Sequence, residues 1–137
     1  MDARAKAEDE ERKRWLAEAR KLLIHARLPI SVLAAGAAQP ALVWSGVGQA
    51  LRARTSRRRV KDWQKAARFF TLTSGASWPQ DVGSLLHYMQ VLVDGDVAPS
   101  GLQSMILACS FMEKAGGVEK GAQLAVHPAR RTRGAIQ

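Results

Sequence analysis

The side chains with the most chemistry to offer are cations. Between Leu51 and Phe70 stand Arg52, Arg54, Arg57, Arg58, Arg59, Lys61, Lys65 and Arg68, against a single acid, Asp62. Eight cations less one acid give this segment +7 of the chain's formal +9. At roughly 100° per residue, with Val60 set at zero, Arg54, Arg57, Arg58, Lys61, Lys65 and Arg68 fall between about 60° and 160°. Val60, Trp63, Ala67 and Phe70 fall between about 280° and 360° on the same wheel. One helix therefore has a cationic side and an apolar side that can dock on a core. Arg59 points toward the apolar side and is expected to pair with an acid. Cations gathered on one side of a rigid element suit a polyanion, and nucleic acid is the obvious one.

Other chemistries are poorly served. Cys109 is the only cysteine, so no internal disulfide forms, and its place on a buried helix face makes it inert. His25, His87 and His127 have no ligand spacing with Cys109, so no metal site is expected. There is no Gly-rich phosphate loop, no paired carboxylates in a plausible pocket and no nucleophile with an adjacent base. The one tyrosine, Tyr88, lies in an apolar helix and reads as a core aromatic. The expectation is a binding protein with no catalytic activity of its own and no cofactor.

The elements that must carry the cationic side read as helices. Gly and Pro cluster between segments, and period-two runs of β-branched residues are missing. The class is all-α: a small bundle of four to five short helices with an N-terminal helical arm. Residues 1–27 form the arm, with eight basic and six acidic residues and a modest apolar stripe of Trp15, Ala19, Leu22, Leu23 and Ala26. That arm is expected to pack lightly. Residues 28–51 hold no charge. They are long enough to span a bilayer, but two prolines, three glycines and an alanine-dominated apolar content favour a short helix and a flexible connector. A membrane is not an expected partner.

Residues 52–128 form the helical domain. The basic helix runs over 54–73, with Thr55 or Ser56 as N-cap and Gly75 as its stop. A second helix starts near Pro79, places Asp81 in its first turn and ends at Asp94-Gly95. A third runs from about Ser100 to Ala115, burying Leu102, Met105, Ile106, Cys109 and Met112. Its Gln103, Ser110 and Lys114 share another side with Leu107. Residues 129–137 are a basic tail. The N-terminus is charged from Asp2 onward and has no apolar core of a secretory signal, so an intracellular location with DNA is expected.

The order of these segments resembles a known family. Thr55 to Trp63, continuing to Phe69-Phe70, is similar to the first core helix of the N-terminal, core-binding (SAM-like) domain of tyrosine recombinases, the phage-integrase family. Trp78-Pro79 through Met89 resembles the family's second helix. Ser100 to Ile106, with Phe111 through Gly116, resembles its third, and His127-Pro128 resembles the exit toward the catalytic domain. The resemblance covers about Leu51 to Pro128. It implies a domain that clamps one face of duplex DNA and works with a catalytic domain or other recombinase subunits. The chain departs from the family in having no arginine/histidine constellation with a nucleophilic tyrosine, so it is not expected to cut DNA.

On this reading Arg54, Arg57, Arg58, Lys61, Lys65 and Arg68 meet the phosphate backbone. Gln103 and Ser104 reach base edges, and Lys114 reaches a phosphate. Four to six phosphate contacts imply a log–log salt slope of about −4 to −5. Two other readings stand beside it: a helical protein–protein module for an acidic partner, and an RNA-binding subunit of a ribonucleoprotein.

Overall fold

Helix formers with a polar, an apolar and a charged side recur along the chain, and helices are what form. The structure is a computed structural model that describes residues 2–49 and 53–126, the side chains of 49 and 53–55 excepted. It contains α1 (Ala3–His25), α2 (Pro29–Gly36), α3 (Pro40–Gln49), α4 (Ala53–Ser74), α5 (Val82–Asp94) and α6 (Pro99–Ala115), followed by a 3-10 turn at Lys120–Ala122. No strand occurs among the described residues. The fold is an all-α bundle.

At the centre lies α4, flanked by α1 and α6. Its apolar side is the one the helical wheel gives: Val60, Trp63, Ala66, Ala67 and Phe70 are all buried. Trp63 packs against Phe70 and Trp78 with ring centroids 6.1 and 4.9 Å away, and Phe69 packs against Tyr88 at 4.8 Å. The expected cap at Thr55 or Ser56 is corrected. The helix already begins at Ala53, and Ser56, one turn before Val60, is carried into the interior on the same side. Gly75 does end the helix: its φ is 81°, and its N–H donates to the Thr71 carbonyl at 3.0 Å.

Unlike the lightly packed arm expected, α1 is part of the core. Trp15, Ala19 and Leu23, at i, i+4 and i+8, are buried, and the first two meet Val60 of α4. Residues 28–51 also differ from a connector, because they hold α2 and α3. Pro29 and Pro40 stand at the openings of these helices, where proline loses no hydrogen bond, instead of breaking one. Ala34 and Trp44 seat the pair on the core. The Ile30 N–H donates to the Gly116 carbonyl at 2.8 Å, and a Cβ at Gly116 would lie 2.5 Å from Leu28 Cδ1. That glycine is there for close approach.

α5 begins three residues after Pro79. Asp81 is its N-cap, accepting from the Ser84 N–H at 2.9 Å, so the carboxylate fixes the start and the proline precedes it. Tyr88 is 7% exposed and belongs to the core. Burial, then the negative charge of Asp62, raise its pKa above the usual 10.0. The folded state therefore keeps the phenol proton where the unfolded chain has lost it. That stabilisation is complete below pH 10.0 and is lost as pH climbs through the raised folded value. Phenolate absorbance should show a later midpoint in native than in denatured protein.

A buried acid closes the bundle. Glu113 of α6, 1% exposed, accepts from the backbone N–H groups of Leu124 and Ala125 at 2.6 and 3.0 Å, and from Cys109 Sγ at 3.5 Å. It pins the chain after α6 against that helix. Glu113→Ala should cost about 2–3 kcal/mol, the usual loss for a buried charge-assisted pair. Hydrogen exchange at Leu124 and Ala125 should accelerate in step.

Candidate nucleic-acid interface

With its apolar side committed to the core, α4 has one direction left for its cations. Arg57, Arg58, Lys61, Lys65 and Arg68 are all exposed. They line a single open hollow of about 470 Å³ along the helix, with Asp62 and Gln64 between them. From Arg57 to Arg68 is eleven residues, about 16 Å at 1.5 Å per residue. Five cations over that length face Asp62 in the lining and Glu11, which reaches Arg57 from α1, so the field above the hollow stays positive. The structure brings these five together as the wheel expects. Arg54 belongs to α4, but its side chain lies outside the described residues, as do His127-Pro128 and the basic tail.

Arg59 is half-buried on the other side and makes no ion pair among the described residues, against the expected pairing with an acid. Its Nη1 is buried without a hydrogen-bond partner among the described residues, so part of the guanidinium is turned inward rather than out to water.

The residues expected on α6 separate. Arg58 Nη2 donates to Ser104 Oγ at 2.9 Å, which ties the start of the cationic row to the first turns of α6. Gln103 and Lys114 are exposed, but neither lines the hollow. Ser104 and Lys114 stand about 15 Å apart along their helix. They do not form one reading surface with α4.

Helix α1 supplies what the sequence reading missed. Arg57 Nη1 pairs with Glu11 Oε1 at 3.6 Å, both side chains well exposed. Gln64 Nε2 donates to Glu18 Oε2 at 3.4 Å. Lys61 Nζ lies 5.5 Å from the centroid of the Trp15 ring, which Arg14 also covers at 5.0 Å. Glu11, Trp15 and Glu18 are spaced i, i+4 and i+7, so a stripe was readable along α1. That it meets the edge of α4 is a tertiary fact.

An exposed pair of this kind contributes little to stability. Glu11 does compete with an incoming phosphate for Arg57. Glu11→Gln should therefore tighten duplex binding, by at most about eightfold near 0.1 M salt, the worth of one full phosphate contact there. The melting temperature should stay put. Titration of a fluorescent duplex checks it. No protein-family model matches the chain, and neither a curated protein nor a solved structure matches it.

Proposed function

We propose that this chain binds duplex DNA through the cationic side of α4, as a non-catalytic module of the kind the tyrosine-recombinase core-binding domain represents. The observation that supports the reading is the open hollow where Arg57, Arg58, Lys61, Lys65 and Arg68 outnumber the two acids near them, Asp62 in the lining and Glu11 at Arg57, on a helix held rigid by its buried side. Duplex DNA presents one charge per about 1.7 Å of axis, so a row of about 16 Å faces several phosphates at once. Those contacts position the protein without reading bases. Arg58 is tied to Ser104 of α6, and two amides on these helices can pair with adenine: exposed Gln103 on α6, away from the row, and half-buried Gln64 within the hollow. Specificity is weak on this account. The protein acts where duplex DNA is, beside whatever subunit supplies chemistry.

Equilibrium titration of duplex DNA at several salt concentrations tests it. With Arg57 partly engaged by Glu11, the log–log slope should be about −4. A flat salt response from folded protein would remove the reading. Stronger binding to RNA than to duplex would transfer the same row to a ribonucleoprotein. Tight, salt-insensitive capture of an acidic protein would make the face a protein-docking one.

A further inference from the structure

Helices α1 and α4 run parallel and in register. Glu11 meets Arg57, Trp15 meets Lys61 and Glu18 meets Gln64, each pair 46 residues apart in the chain. The same offset brings the end of α1 to the last turn of α4, and there the structure holds a second open hollow of about 640 Å³. His25 and Arg27 line it on the α1 side, and Thr71 and Gly75 on the α4 side. Thr71 is three residues past Arg68, about 4.5 Å along the axis and about 60° round the helix. The second hollow therefore begins where the first one ends, on the same seam.

Its charge has one sign. No acid lines it, and from Ala19 to Lys61 the chain contains none. His25 and Arg27 are exposed and make no ion pair among the described residues. The backbone at Arg27 is strained. It follows the C-cap Ala26 with a φ of 56°, while its N–H donates to the Ile24 carbonyl at 3.0 Å and the Leu28 N–H to the Leu23 carbonyl at 3.2 Å. Glycine is the usual residue in this left-handed position, because a Cβ is crowded there. Gly75 and Gly117 fill it after α4 and α6, and Asp96, of a type that tolerates it, after α5. After α1 the strain is borne by an arginine. Strain held at one residue points to a use for its side chain.

We infer that a bound duplex continues past Arg68 over this second hollow, with Arg27 as a further phosphate contact and a ring N–H of His25 as a donor beside it. The inference rests on the reading of α4 as the DNA surface and extends its length. From Arg57 to Gly75 is about 27 Å, some eight base-pair steps against about five for the row alone. Alignment and sign choose this occupant. The negative ends of α1 and α4 favour a cation at Arg27 and disfavour a small anion seated deep between them. The contact is therefore made at the rim, by a long side chain reaching a passing backbone.

Full-length protein is titrated into a fluorescent duplex of about 20 base pairs, longer than both hollows together, at several salt concentrations. Arg27→Glu should weaken binding about tenfold near 0.1 M salt and make the log–log slope shallower by about 1. Arg27→Gly should cost about eightfold, the worth of one phosphate contact, while its melting temperature does not fall, because glycine takes the left-handed backbone freely. Lys6→Glu makes the same change in net charge as Arg27→Glu, on the outer side of α1 and about 30 Å along that helix from Arg27. It should move affinity by less than about twofold, because salt screens charges beyond about 10 Å. Wild-type affinity and slope in Arg27→Gly would end the track at Arg68 and leave the α4 contact standing. An equal loss in Lys6→Glu would reduce the effect to net charge and overturn the inference. No salt-dependent binding by wild type would remove the α4 reading, and this inference with it.

Discussion

Lys65→Glu combined with Arg68→Glu should weaken duplex binding about a hundredfold near 0.1 M salt while the melting temperature moves by no more than about 8 °C. Both side chains are exposed on the outer side of α4, line the hollow and make no ion pair among the described residues. Each phosphate contact contributes about 0.9 to the log–log salt slope. Losing two contacts thus lowers affinity by about 10^1.8, some sixtyfold, at 0.1 M relative to 1 M salt, and repulsion by the new carboxylates takes the loss further. The slope should become shallower by about 2. Stability should hardly change, because exposed charges are already solvated and contribute about 0–1 kcal/mol each. The two readouts together are decisive. A large fall in melting temperature would mean these side chains were structural. Unchanged affinity with unchanged folding would mean that α4 is not the contact surface.

Trp63→Ala should have the largest effect on stability, about 3–5 kcal/mol. Trp63 is 1% exposed, on the side of α4 turned to the core, and packs at a tilt against both Phe70 and Trp78. Truncation forfeits its transfer free energy and leaves a cavity that rigid neighbours fill only in part. It also breaks the aromatic contacts that tie α4 to the segment before α5. A domain of this length has about 5–15 kcal/mol in all, so the variant should melt roughly 10–20 °C lower, or fail to fold at 37 °C. Circular dichroism melting measures it. A shift under about 3 °C would mean the interior repacks far more freely than its close contacts imply. Lost DNA binding in this variant would carry no information about the interface, because the platform itself is damaged.

The two substitutions probe opposite sides of one helix, and those sides were legible in the sequence for a simple reason. Residues on a helix repeat every 3.6 positions whatever surrounds them, so the phase of Val60, Trp63, Ala67 and Phe70 against Arg57, Lys61, Lys65 and Arg68 is a local property. The all-α class, the stop at Gly75 and the burial of Tyr88 were legible on the same ground, since each depends on nearby residues or on average composition.

What depends on distant partners was not. A balanced, charged segment such as residues 2–27 reads as a solvated arm, because only three of its side chains are buried: Trp15 and Ala19 against Val60, some forty residues on, and Leu23 in the main core. The prolines of residues 28–51 look like breakers until tertiary packing shows them opening α2 and α3. No local pattern announces that Glu11 reaches Arg57, that Ser104 holds Arg58, or that Glu113 secures Leu124 and Ala125. The sequence alone determined which side of each helix is apolar and which is charged, because helical periodicity is set by the backbone. Only the tertiary structure decided which charged side stays open to a ligand and which apolar side is left uncovered, because exposure depends on what else packs there.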